Sequence, residues 1–251
     1  GLVDGPDEMR RKVRELIRAG ADVLKVATSG GVLSFGDEPH HAQFGPDELA
    51  VLVAEANAAG RPVMAHAQST AGIRNAVDAG VRSIEHGIYL DDEAISMMME
   101  AGTWLVPTLV APVGVLEAAE RGASLTEAAI RKAREVVEVH KDSFRRAVAA
   151  GVRVAMGTDS GVTAHGENLR ELVLMADGGM KPEDVLAATT SSAARLLGVD
   201  DQLGTIEPGK LADLVLVDGD PFDFGALGGA IREVWKEGTR VRPRGAPSAA
   251  A

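Results

Sequence analysis

Two rhythms of apolar and polar positions alternate along the chain. Five times a stretch with helical spacing closes on Ala-Gly and is followed at once by a short apolar run. The pairs are Ala19-Gly20, Ala59-Gly60, Ala79-Gly80, Ala101-Gly102 and Ala150-Gly151; the runs are ADVLKVA, RPVMAHA, VRSIEH, TWLVPT and VRVAMGTD. Glycine just past a helix end takes the left-handed conformation that other residues resist, so each pair predicts a helix C-cap. Before the first pair, Met9, Val13, Leu16 and Ile17 fall at helical spacing behind Asp4 and Pro6, and Pro46-Asp47-Glu48 opens the next helix in the same way. Helix, glycine and buried strand, repeated, predict parallel βαβ units.

The fold class this implies is α/β. A TIM-type (β/α)8 barrel needs eight strands, and five are predicted here, so about five of eight βα units are present if the sheet closes. An open doubly wound sheet has the same rhythm, but no Gly-rich phosphate fingerprint follows any strand. Two stretches interrupt the repeat. Thr28 to Gly45 is a long loop carrying His40 and His41, the kind that serves as a lid or a disordered tip. Ala111 to Ala150 is a helical excursion between the fourth and fifth strands. Residues 1–200 are therefore expected to form the barrel. Residues 201–241, with one strongly apolar strand in GTIEPGKLADLVLVDGDP, are expected to belong to a small β-sandwich, and 242–251 to be a disordered tail.

Composition narrows the chemistry. Aromatic residues make up 3% of a chain that is 45% hydrophobic, so the core must be Val, Leu, Ile, Ala and Met. A net charge of −11 argues against a nucleic-acid partner, whose phosphates require clustered Lys and Arg. The absence of cysteine excludes disulfides, thiolate catalysis and Cys-ligated zinc. No run of about 18 apolar residues occurs, so no membrane-spanning helix is expected.

Lys25, His66, His86 and Asp159 each lie at or just beyond the end of an apolar run, the level at which a parallel barrel gathers its catalytic groups. Each has an ordinary alternative. A single His at a strand end is commonly a hydrogen-bonded structural residue. An Asp after Gly-Thr can cap the next helix. Lys25 sits inside ADVLKVA, where an unpaired ammonium is costly, so it either reaches the strand end or is chemically neutralised. Their shared register is what the ordinary alternatives do not predict. Imidazole and carboxylate suit a zinc-class ion.

The segments DVLKVATSGG, PVMAHAQS, SIEHGIYL and AMGTDSG, with HGENLRELVLM, ATTSSAARLLG and GTIEPGKLADLVLVDGDP, resemble the amidohydrolase superfamily. The resemblance runs through essentially the whole chain and is strongest to the imidazolonepropionase-like branch that includes zinc-dependent Xaa-Pro dipeptidases and arginine carboxypeptidases. It implies a binuclear site holding two divalent metal ions, zinc by preference. Lys25 would be carboxylated by carbon dioxide and bridge both ions. His66 and His86 would bind the second ion. Asp159 would bind the first and act as general base on a bridging hydroxide, then return the proton to the leaving amine. Tyr89, three residues after His86, would face the substrate and stabilise the oxyanion, or else pack at a loop start; His165 would contact substrate or tie down its loop. The reaction implied is cleavage of a C–N bond in a dipeptide or N-acyl amino acid. A xenobiotic amide, carbamate or ester is the alternative substrate, and an inactive fragment serving in assembly is the alternative role.

One departure is plain: the family holds its first metal with a His-x-His pair, and none of the six histidines here forms one. The resemblance aligns the first strand here with the family's fourth, so a complementary N-terminal segment carrying His-x-His is expected as a partner. Without it, an arc of strands would expose two sheet edges. A homo-oligomer and a cytoplasmic location are also expected. His40 and His41 are expected at the surface, as is His140 in VHKDSFRR, while Arg195 and Met97-Met98-Met99 fit helix packing.

Overall fold

The computed structural model describes residues 1–241, so the expected tail at 242–251 lies outside the described residues. Helices and strands alternate as predicted: α1 (Gly5–Arg18), β1 (Leu24–Ala27), α2 (Pro46–Ala58), β2 (Val63–Ala67), α3 (Thr70–Ala79), β3 (Ser83–His86), α4 (Asp92–Ala101) and β4 (Trp104–Val106). The four strands are parallel and lie side by side in chain order. The glycine of each Ala-Gly pair has positive φ, from 65° at Gly102 to 91° at Gly20 and Gly151. These turns release each helix into the next strand, which is why the local pattern sets the order of elements.

Register separates two faces. Val26, Ala65, Ile84 and Leu105 form one row across the sheet, all buried, and pack under α1 to α4 through Val13, Leu52, Ile73 and Ile95. The opposite face carries the row Ala27, His66, Glu85, Val106 and, one step earlier, Lys25, Met64, Ser83, Trp104. Alternation along β1 therefore sends Leu24 and Val26 into the core and leaves Lys25 exposed, contrary to the apolar surroundings its flanking sequence suggests.

The fifth expected strand is reduced to a single parallel bridge, Leu105 to Val154, with Leu105 N donating to Arg153 O (2.8 Å) and Ala155 N to Leu105 O (3.0 Å). Among the described residues this run has a ladder partner only on its β4 side, too little to hold an extended ladder. The excursion that follows β4 is a helix pair, α5 (Val110–Glu120) and α6 (Glu127–Ala150). These helices build a second apolar cluster from Val115, Ala133 and Val136 with Val32 of the β1–α2 loop and Ile88 after β3. That cluster roofs the strand ends.

After α7 (Arg170–Asp177), α8 (Pro182–Thr189) and α9 (Ser191–Leu197), the chain forms β5 (Leu214–Val217), α10 (Leu227–Ala230), β6 (Ile231–Lys236) and β7 (Thr239–Val241). The apolar strand read from the sequence is β5; β6 and β7 join it in an antiparallel sheet of order β5-β6-β7. Among the described residues no helix is long and apolar enough to cross a membrane.

Candidate functional site

The site begins with backbone geometry. His66 lies on the inner face of β2, but simple alternation would send His86, the last residue of β3, to the same side as Ile84. Its φ of 74° breaks that alternation and re-aims the ring toward His66. Thr108 (φ 54°) and Asp159 (φ 52°), at the ends of the next two runs, are likewise left-handed. Positive φ costs a non-glycine residue energy and persists only where surrounding contacts enforce it, commonly at functional sites.

The two imidazoles meet edge to face, with ring centroids 4.6 Å apart and planes at 71°. His66 Nε2 lies 3.2 Å from the carbonyl oxygen of Gly30, which can only accept, so Nε2 carries the proton and Nδ1 keeps its lone pair. His86 is engaged at the other nitrogen, Nδ1, by Thr108 Oγ1 at 2.6 Å, leaving Nε2 unused. Burial pushes both rings toward the neutral form, His86 strongly, because an imidazolium would lose its hydration there. Lys25 adds to that depression in both rings, while Asp159 opposes it at His66. Neutral imidazoles with one nitrogen fixed by an outer partner and the other free are the form that binds a divalent ion. Their donor chemistry fits a metal.

His66, His86 and Asp159 line one cavity of about 230 Å³, whose remaining wall is largely apolar: Val32, Ile88, Pro112 and Val115. Among the described residues no group of three His, Asp or Glu side chains converges tightly enough to hold an ion by itself. The structure thus brings the two histidines together and places Asp159 and Lys25 within electrostatic reach. Tyr89 is half-buried in the roof cluster, where burial raises its phenol above the ordinary value, and it does not line the cavity. His165 is exposed and does not line it either. His40 and His41 are exposed and meet edge to face, with centroids 4.4 Å apart and planes at 71°.

Several working residues escape a reading of the sequence. Glu85 stands beside His66 on the inner face, and burial raises its carboxyl to about 7 against a 2.6 Å hydrogen bond from Ser83 Oγ; a charge inside the run VRSIEH was its only signal. Glu171, fully buried, accepts from the backbone N–H groups of Leu109 and Val110 next to Thr108. His140 is the clear correction. Far from the surface, it is 2% exposed, and its Nε2 donates to the carbonyl of His86 at 2.9 Å. It belongs to the buried stripe of α6, with Val136, Ser143, Phe144 and Ala147.

Burial pushes His140 down to about 4, while the carbonyls of His86 and Pro107 oppose the shift. In the unfolded chain the ring titrates near 6.5, so between about 6.5 and 4 only the unfolded state takes the proton. The expected result is a loss of about 3 kcal/mol of stability as pH falls through that window. Glu85 and Glu171, shifted upward, act in the opposite direction, so the comparison of wild type with His140→Gln isolates the effect. In urea unfolding, the stability gap between the two should close as pH falls from 7 toward 4. A gap independent of pH would show that His140 does not titrate this way.

Comparison with known proteins identifies the family and the fold. The family model described as the amidohydrolase family matches residues 2–241. Ochratoxinase of Aspergillus niger is 36% identical over 244 residues, covering 94% of this chain and 50% of that protein. Imidazolonepropionase of Mesorhizobium japonicum is 32% identical over 181 residues, covering 70% of this chain and 39% of the relative. Among solved structures, a Xaa-Pro dipeptidase with bound methionine in its active site superposes with a TM-score of 0.90 at 38% identity, over 97% of this chain and 60% of the other. The chain spans about half the length or less of the curated relatives it matches. With its parallel α/β arc and its facing histidines at the strand ends, the chain belongs to the amidohydrolase family.

Proposed function

We propose that this chain supplies the larger part of the active site of a metal-dependent hydrolase that cleaves a C–N bond, in dipeptides or N-acyl amino acids. One observation carries the proposal: the facing rings of His66 and His86 are fixed through opposite nitrogens, leaving Nδ1 of one and Nε2 of the other for a shared ion. In this reading Lys25, exposed on the inner face and so accessible to carbon dioxide, would be carboxylated and as its carbamate would help to hold two divalent ions, zinc by preference. Asp159 completes the set. When bound, such ions would lower the pKa of water and polarise a scissile carbonyl. Asp159 would accept the proton of the attacking water on its carboxylate and hand it to the leaving amine. The apolar wall would exclude bulk water and seat the acyl or side-chain group. The oxyanion contact expected of Tyr89 requires its phenol to leave the roof cluster, and the contact expected of His165 requires its loop to fold inward.

The remaining ligands are proposed to come from a segment bearing His-x-His, seated against the open edges of β1 and of the 152–156 run. The barrel at 1–200 and the sandwich segment at 201–241 form the proposed division of the chain. The apolar wall, together with the similarity to ochratoxinase, also favours amides, carbamates or esters of apolar groups as substrates.

The test is metal analysis of the zinc-loaded protein, alone and with the complementing segment, followed by assay against Xaa-Pro dipeptides, N-acyl amino acids, aryl carbamates and esters. About two ions per complemented chain and hydrolysis of an amide are expected, with ion uptake lost in His66→Ala and His86→Ala. A stoichiometry near one with unmodified Lys25 would refute the binuclear reading. Full metal loading without hydrolysis of any substrate would favour an assembly role instead.

A further inference from the structure

Lys132 is the least expected residue of the roof. It lies on α6, its side chain is 3% exposed, and its ammonium is spent entirely on the β1–α2 loop. Nζ donates to the carbonyl oxygens of Gly31 (3.1 Å), Ser34 (2.8 Å) and Asp37 (2.6 Å), and stands 3.7 Å from Asp37 Oδ1. An ammonium has three protons, so each has its own carbonyl. Neither side is stable alone: a buried ammonium without acceptors is costly, and three inward-turned carbonyls without a donor are costly too.

The loop so held is continuous with the site. The Asp37 carboxylate turns back to accept from Gly31 N and Gln43 Nε2, both at 3.3 Å. Gly30 is pressed against the returning strand of the loop so tightly that a Cβ there would lie 2.3 Å from Glu38 O. The carbonyl of Gly30 is the acceptor for His66 Nε2, and Ser29 Oγ, which donates to the same carbonyl, receives the backbone N–H of Gln68 two residues beyond His66.

We propose that Lys132 is a positioning residue: its ammonium holds the β1–α2 loop in the shape that presents the Gly30 carbonyl to His66 and thereby selects the ring edge that His66 turns to the cavity. The effect on ion binding rests on the hydrolase reading. The effect on the ring does not.

Lys132→Met in the metal-free full chain, read by nitrogen-15 NMR of the imidazoles, separates the two. Wild type should show His66 as one tautomer with the proton on Nε2; the variant should show mixed tautomers, with amide exchange at least about tenfold faster across 30–43. In the complemented protein, zinc affinity should fall about 10- to 100-fold, as when an outer partner of a ligand is removed. Lys132→Gln, which keeps two donors, gives an intermediate response and replaces Lys132→Met if that variant fails to fold. Arg131→Ala removes two surface ion pairs, to Glu38 of the same loop and to Glu135 of α6, and should leave the His66 spectrum unchanged. Faster loop exchange with an unchanged His66 tautomer would overturn the proposal, as would a wild-type proton on Nδ1. A wild-type protein with the expected tautomer that takes up no zinc even with the complementing segment present would instead sink the hydrolase reading alone.

Discussion

Asp159→Asn in the zinc-loaded, complemented protein is expected to lower kcat by about 10²- to 10⁴-fold, the usual contribution of a positioned acid-base group. The substitution suits the question because Asn, like Asp, tolerates the left-handed backbone that this position adopts at φ 52°. Shape and backbone persist; the negative charge and the proton acceptor do not. Asp159 is exposed at the mouth of the cavity with no side-chain hydrogen bond among the described residues, so its removal strands no buried partner. Stability should stay close to wild type while turnover collapses. Steady-state kinetics on the best amide substrate, with metal content measured in parallel, tests this. A kcat within about threefold of wild type would remove Asp159 from the proposed chemistry, and lost ions would locate its role in metal binding.

Glu171→Ala is expected to have the largest effect on stability. The carboxylate spans from α7 to the start of α5, where it receives Leu109 N and Val110 N, each at 2.8 Å. No side chain of α5 caps that end, so Glu171 serves as its cap from a distance. Removal leaves two buried N–H groups unpaired, at about 1–3 kcal/mol each. The pH dependence follows from burial, which raises the carboxyl to about 7 even though both N–H bonds oppose the shift. A folded pKa above the unfolded value means that the contribution is complete below about 4.5 and is lost as pH rises through about 7. Urea unfolding should therefore show a larger penalty for Glu171→Ala at pH 5 than at pH 8. A penalty below about 1 kcal/mol at every pH would refute the capping role. Thr108, one residue before Leu109, holds His86 Nδ1, so the same substitution should also loosen that ring.

The order of the first four helices and strands and the glycine caps were determined by the sequence. The level of each polar residue was not, since Lys25 pairs with Met64, two residues before His66, and His86 pairs with Ala67, one residue after it. Period and cap chemistry act over a few residues, and each strand end inherits its place from the unit before it. What needed the tertiary structure were residues whose role depends on a distant partner. Lys132 and His140 sit in a charged stretch that reads as a solvated face, yet they fall on the same buried stripe of α6 as Ala133, Val136 and Phe144. Local charge hides that stripe, because only the β1–α2 loop carbonyls and the His86 carbonyl make burial of those polar groups tolerable. Glu171 is hidden in the same way by a helix start 61 residues away. The fate of the 152–156 run was also tertiary, since a strand is defined by its neighbours and among the described residues this one has its ladder partner only in β4. Which nitrogen each histidine offers depends on Gly30 and Thr108, contacts that no spacing in the chain encodes.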